Sequence, residues 1–279
     1  MAQSIFSMYR FSILFIFFIS ASFNVAAQDL VDAKKAIKTL TSKKYWGRGY
    51  TKNGMAKAAN FIENKMKSFG LSPLTEAGFK QYFNFSANTF PSKMELKING
   101  KKLRPGKDFI VHQASKGVNT SDSLTRKDSV TYANKNGGVV VGLAPKLTWS
   151  ASQKVLDYTV IEVAKRTDVP ILKKIDVHIE NEFVTNFTAA NVMAMVKGTT
   201  KPDSVIVFTA HYDHLGGMGN KTYFPGANDN ASGVAMLLDL AKYYAKNPPK
   251  YSVVFIAFAA EEIGLLGSKI LYRTSFIST

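Results

Sequence analysis

The stretch from Val205 to Ser268 limits what this chain can fold into more than any other. Two short apolar runs, Val205–Ala210 and Val253–Ala259, are rich in β-branched and aromatic residues and too short for ordinary helices. Each reads as a buried strand. Each ends in ionisable residues, His211 and Asp213 after the first and Glu261-Glu262 after the second. Between them Asp229 stands in a glycine-rich turn that opens a helix predicted over Asn230–Lys246, which Asn247-Pro248-Pro249 terminates. Strand, acid-bearing loop, helix and strand outline a right-handed α/β crossover. An open α/β sheet builds its site at the carboxyl ends of parallel strands, where these groups lie. Imidazole and carboxylate without sulfur are the ligand types of a zinc centre, so the stretch predicts a hydrolase using a metal-activated water.

The individual residues sharpen that expectation. His211 and Asp213 alternate past a strand end, an arrangement that suits a ligating imidazole beside a carboxylate that orients a ligand. The competing reading is a polar turn. Asp229 would serve equally well as a helix N-cap, but that reading does not account for its convergence with His211. Two adjacent carboxylates after an apolar strand are costly without partners. One of Glu261 and Glu262 can ligate a metal while the other acts as general base on water. His214 could touch the edge of the site but reads first as loop polarity, Asp239 reads as a solvent-facing helical residue, and Tyr223 and Phe224 could line a substrate pocket but read first as packing residues.

The rest of the chain frames this segment. Residues 1–27 carry Arg10 as their sole charge, an apolar run from Phe11 to Ile19, and small residues ending at Ala27. These are the parts of a cleavable signal peptide, which predicts a secreted or periplasmic protein starting at Gln28 without a lasting membrane anchor. Cysteine is absent, which excludes a disulfide framework. The formal net charge of +16 would admit an anionic partner, but the lysines are scattered in ones and twos and no basic stripe interleaves with aromatics. Nucleic acid is therefore not an expected partner.

Helices are predicted over Asp29–Leu40 and Gly54–Phe69, separated by the turn Trp46-Gly47-Arg48-Gly49-Tyr50, which lacks the context of a phosphate loop. From Tyr82 to about Thr188 short strand-like pieces alternate with polar turns, and Ser115–Lys127 reads as an exposed loop. His112 and His178 each sit alone in a strand pattern and read as packed or edge residues.

The quoted motifs resemble peptidase family M28, zinc aminopeptidases with two co-catalytic ions. The matching elements are His211-Tyr212-Asp213, Gly226-Ala227-Asn228-Asp229-Asn230-Ala231-Ser232-Gly233 and Glu261-Glu262-Ile263-Gly264-Leu265-Leu266-Gly267-Ser268. The stretch Leu40-Thr41-Ser42 to Gly47-Arg48-Gly49, continuing to Gly70-Leu71, is similar to the start of secreted members. The resemblance implies an α/β fold with a mixed, mostly parallel sheet flanked by helices. It further implies a signal peptide at 1–27, peptidase-domain parts at 28–85 and 189–279, and a β-rich insert at 86–188 where relatives carry a protease-associated domain. It implies His211 on one zinc, Glu262 on the other, Asp229 bridging both, Glu261 as general base and Asp213 orienting His211, acting on a peptide substrate. No substrate-binding residue or oligomeric state is assigned.

Relatives supply a further Asp and His beyond the Glu-Glu element, whereas Lys269–Thr279 contain no Asp, Glu or His. The expectation is thus a peptidase core truncated at its C-terminus, in which each metal lacks one protein ligand. Two other readings share the fold. A glutaminyl cyclase relative would use one zinc and act on N-terminal glutamine peptides, and a non-catalytic scaffold would show no zinc-dependent activity.

Overall fold

Five strands form the sheet that positions the ionisable residues: β1 (Ser72–Pro73), β2 (Lys80–Thr89), β3 (Glu182–Val196), β4 (Lys201–His211) and β5 (Tyr251–Phe258). This is a computed structural model that describes residues 30–167 and 171–273. The expected signal peptide lies outside the described residues. Four helices are described, α1 (Leu30–Leu40), α2 (Gly54–Ser68), α3 (Ser232–Lys246) and α4 (Leu266–Arg273).

The sheet is mixed, as expected, but antiparallel pairings outnumber the parallel one. Strand β3 pairs antiparallel with β1 and β2 on one side and with β5 on the other. The parallel pairing is β4 with β5, in a register that sets Phe208 opposite Phe255 and His211 opposite Phe258. That register brings the carboxyl ends of the two strands side by side, which is where the candidate site residues emerge.

Alternation along the strands divides the sheet into two faces. Val192, Ala194, Val253 and Phe255 join Ile62 and Met66 of α2 and Leu237 and Leu238 of α3 in the main core. Met193, Val254 and Ile256 form a second cluster, with Leu271 of α4 packed against it. Strand β5 is therefore covered on both sides, and its unbroken apolar run follows from that. Strand β4 departs from expectation. Val205, Ile206 and Val207 are 39–44% exposed, because β4 is the outer strand of the described sheet and nothing described covers that part of it.

Residues 94–179 form two further sheets. One orders Phe109–Val111, Thr159–Ala164, Val139–Ala144, Thr131–Ala133 and Thr125–Arg126, and the other orders Lys101–Leu103, Met94–Ile98, Lys174–Ile179 and Val118–Ser123. Both contribute to one apolar cluster that includes Leu96, Phe109, Val141, Ile161 and Val177. The expectation of an exposed loop over Ser115–Lys127 is corrected. Val118–Ser123 pairs with Lys174–Ile179 and Thr125–Arg126 pairs with Thr131–Ala133, because an edge strand can satisfy its backbone on one side while presenting polar side chains to water. His112 Nδ1 accepts from the Ala114 N–H at 3.2 Å and His178 Nε2 lies 3.0 Å from Glu180, so both have local structural partners.

Candidate metal centre

His211 is the last residue of β4. The chain continues through Tyr212, whose ring is buried and whose hydroxyl donates to the Ala190 carbonyl of β3 at 2.8 Å. Tyr212 thereby anchors the strand end while its neighbours on either side face the site. Asp213 is fully buried and accepts the backbone N–H groups of Glu261 at 3.0 Å and Glu262 at 3.2 Å. A buried carboxylate needs such donors, and here they come from the end of the adjacent parallel strand. Ala260, immediately before the glutamates, adopts a left-handed φ of 57° at this turn. One carboxylate thus ties the two strand ends together and sets the position of both glutamates.

Asp229 arrives on the third segment. The helix begins at Ser232 rather than Asn230, and Asp229 itself has extended backbone angles (φ −118°, ψ 99°). It is therefore not the helix N-cap. Its Oδ1 lies 3.2 Å from His211 Nε2. On the other edge of the imidazole, Nδ1 lies 3.8 Å from Asp213 Oδ1 and 3.9 Å from Glu261 Oε2, too far for hydrogen bonds, and this buried nitrogen has no hydrogen-bond partner.

His214 has a larger part than its sequence context predicts. It is 8% exposed, and its Nδ1 sits 2.6 Å from Glu262 Oε1. The ring lies so close to the Asp229 loop that a Cβ on Gly226 would stand 2.4 Å from His214 Cδ2, so glycine is required there. Donor atoms of His211, Glu261 and Glu262 fall within 4.8 Å of one another, as do those of His214, Asp229 and Glu262. Glu262 belongs to both groups.

Charge is concentrated in this corner. Burial raises the Glu261 carboxyl above the usual value, and Asp213, Glu262 and Asp229 add to the rise against the opposing effect of His211. Burial works against a charged His211, but Asp213, Glu261 and Asp229 outweigh it and leave the imidazole above its ordinary value. These are the electrostatics of a site short of positive charge. A divalent cation fits on three counts: the donors are imidazole nitrogen and carboxylate oxygen, they converge within ligand span, and His211 Nε2 faces a carboxylate rather than a neutral partner. An open cleft of about 380 Å³ lies beside the cluster, lined by His211, Phe258, Ala259, Glu261 and Leu265.

The structure brings together all five expected residues, His211, Asp213, Asp229, Glu261 and Glu262. It adds His214, which the sequence marks first as loop polarity, and Arg48, which it marks only as part of a turn. Arg48 is fully buried and reaches the carbonyls of Tyr212, Gly226 and Asp229. The available signal was the setting of Arg48 among Trp46, Gly47, Gly49 and Tyr50, a charge in a turn composed for burial. Tyr223 and Phe224 pack as expected, against Trp46 and Trp149 with ring centroids at 5.3 and 5.8 Å. Asp239 is half-buried rather than solvent-facing.

Residues 191–278 match the sequence model of peptidase family M28, a span that contains every one of the five expected site residues. These residues belong to peptidase family M28. Over 87 residues the chain is 44% identical to a probable zinc metalloprotease of Pyricularia oryzae, covering 30% of this chain and 17% of that relative. The aminopeptidase YwaD of Bacillus subtilis is 28% identical over 198 residues, 71% of this chain and 38% of that protein. The chain therefore spans well under half the length of these relatives. Among solved structures, an aminopeptidase from Aneurinibacillus sp. strain AM-1 superposes with a TM-score of 0.56 at 20% identity, over 88% of this chain and 66% of that one. A zinc aminopeptidase from Bacillus subtilis gives a TM-score of 0.58 at 19% identity, over 87% and 64%. At these identities the superpositions establish the M28 aminopeptidase type of α/β fold.

Proposed function

We propose that this chain carries the catalytic core of a zinc-dependent aminopeptidase, exported through a leader at 1–27. The observation that carries the reading is the Asp213 tie, which fixes Glu261 and Glu262 as a pair facing His211 and Asp229. His211, Asp229 and Glu262 would hold the metal, and Asp229 would be shared if two ions bind. Zinc, when bound, polarises the scissile carbonyl and makes water a better nucleophile near neutral pH. Glu261, raised above the ordinary carboxyl value by burial, takes the proton from the attacking water and passes it to the departing amine. Asp213 holds the Glu261 and Glu262 backbone, and so keeps the base at a constant reach from the ligands. The apolar lining supplied by Phe258 and Leu265 suits the side chain of the N-terminal residue.

Metal removal is the test. After dialysis against trace zinc, purified Gln28–Thr279 is expected to retain the metal on elemental analysis. Chelation should abolish hydrolysis of aminoacyl 4-nitroanilides and lower the melting temperature, and added zinc should restore both. A chain that retains no zinc would overturn the proposal, and equal cleavage of N-acetylated substrates would replace an aminopeptidase by an endopeptidase. Among the described residues no helix is long and apolar enough to cross a membrane. N-terminal sequencing of exported protein is expected to begin at Gln28; a protein that retains residues 1–27 would exclude leader cleavage.

A further inference from the structure

We propose that Arg48 is a positioning residue, one that clamps the Asp229 loop and the His211–Asp213 strand end in the geometry that receives a divalent cation. The inference rests on the metal-centre reading above and assigns a function to the N-terminal turn, which lies outside residues 191–278.

The arginine is unusual in both its burial and its partners. Its side chain is fully buried, and among the described residues it makes no ion pair with a carboxylate. All its hydrogen bonds go to backbone carbonyls. Nε donates to Tyr212 at 2.8 Å, Nη1 to Pro225 at 2.7 Å and Leu40 at 3.2 Å, and Nη2 to Gly226 at 2.8 Å and Asp229 at 3.3 Å. These carbonyls belong to three separate segments: the end of α1, the residue between His211 and Asp213, and the loop that delivers Asp229. A guanidinium presents five N–H donors in a planar fork, so joining three segments at fixed angles is a task lysine cannot reproduce.

The backbone of the same turn grips the continuation of the Tyr212 segment. The Arg48 carbonyl accepts the His214 N–H at 3.3 Å, and the Gly47 carbonyl accepts the Gly216 N–H at 3.1 Å. The two backbones approach so closely that a Cβ on Gly49 would lie 2.4 Å from Gly216 Cα. Arg48 thereby holds the backbone supports of His211, Asp213, His214 and Asp229 without a hydrogen bond to any of their side chains.

A cation buried without a carboxylate partner is expensive unless nearby charge compensates. Burial lowers Arg48 to about 10, and the opposing fields come from Asp213, Asp229 and Glu262. The guanidinium remains charged at neutral pH, and the acids that stabilise it are those of the site. An arginine serving the core alone would have no reason to sit where the carboxylates of this one corner face it.

Cobalt(II) titration of Gln28–Thr279, followed by visible absorption and calorimetry, tests the assignment in wild type, Arg48→Lys and Arg48→Met. Met66→Ala, a cavity in α2, serves as the control for a general loss of stability. Both Arg48 variants are expected to bind cobalt at least about 10-fold more weakly, in the range found when groups supporting metal ligands are removed. Their absorption bands should shift, whereas Met66→Ala keeps the wild-type affinity and spectrum. Wild-type affinity and an unshifted spectrum in Arg48→Lys would overturn the role of Arg48 and leave the metal centre intact. Failure of the wild type to bind cobalt would overturn the metal centre, and the clamp with it. If neither Arg48 variant folds, the Arg48 side-chain N–H resonances of arginine-labelled wild type provide the readout. Saturating zinc should move them, and resonances that stay in place would overturn the proposal.

Discussion

Glu261→Gln is expected to abolish peptide hydrolysis while leaving metal binding nearly intact. Glutamine matches glutamate in shape but cannot take a proton from water, and loss of a general base costs about 10²- to 10⁴-fold in rate. The assignment depends on which of two adjacent glutamates is free. Glu262 is held 2.6 Å from His214, its side chain is 15% exposed, and its oxygens fall in both potential ligand groups. The Glu261 side chain is 37% exposed, and its carboxylate stands 3.9 Å from His211 Nδ1, beyond hydrogen-bond reach. Glu262 is therefore the residue built into the site, and Glu261 the one left able to accept and release a proton. Its raised carboxyl value, due to burial first and to Asp213, Glu262 and Asp229 next, suits a base working near neutrality. Steady-state kinetics alongside elemental zinc analysis checks this. More than a tenth of wild-type kcat in the zinc-loaded variant would place the base elsewhere.

Asp213→Asn is expected to weaken both the fold and the metal site. The Asp213 carboxylate accepts two backbone N–H groups with its two oxygens and has no exposed surface. Asparagine replaces one oxygen with an NH₂ group, which would confront an N–H of Glu261 or Glu262 and leave a buried donor unsatisfied. Loss of one charge-assisted hydrogen bond and the burial of that donor cost roughly 2–4 kcal/mol together. The same substitution frees the turn that carries both glutamates and removes the charge facing His211 Nδ1, so zinc affinity should fall about 10- to 100-fold. Urea denaturation of the metal-free protein and zinc titration of the folded variant separate the two effects. If affinity is unchanged while stability falls, Asp213 is a tie between strand ends and has no part in orienting His211.

The two substitutions act on one unit, so their effects will not add. Asp213 sets where Glu261 stands, and a double variant should lose little more activity than Glu261→Gln alone.

Local sequence determined a good deal of this protein. Apolar runs that end abruptly in His211-Tyr212-Asp213 and Glu261-Glu262 mark strand termini; β5, buried on both faces, has no place for charge until it ends, and the half-exposed β4 stops beside it. The glycine-rich turn before α3 marks Asp229 in the same way, since its backbone must bend sharply just ahead of a helix. These signals lie within a few residues of the groups they identify, so the five residues that the structure gathers in one corner, and the mixed α/β class, were legible without a structure.

Tertiary structure alone decided the rest. His214 follows Asp213 directly and reads as loop polarity; its contact with Glu262 spans 48 residues and exists only because β4 and β5 end side by side. Arg48 reaches Tyr212 across 164 residues and Asp229 across 181, and no periodicity or spacing in the chain records those approaches. The exposure of Val205, Ile206 and Val207 was equally hidden, because an apolar run has the same composition at the edge of a sheet as at its centre. Residue type and short-range pattern determine what a segment becomes and where it stops. Which segments meet, and which side chains are thereby buried beside a charge, depends on long-range packing that only the folded chain displays.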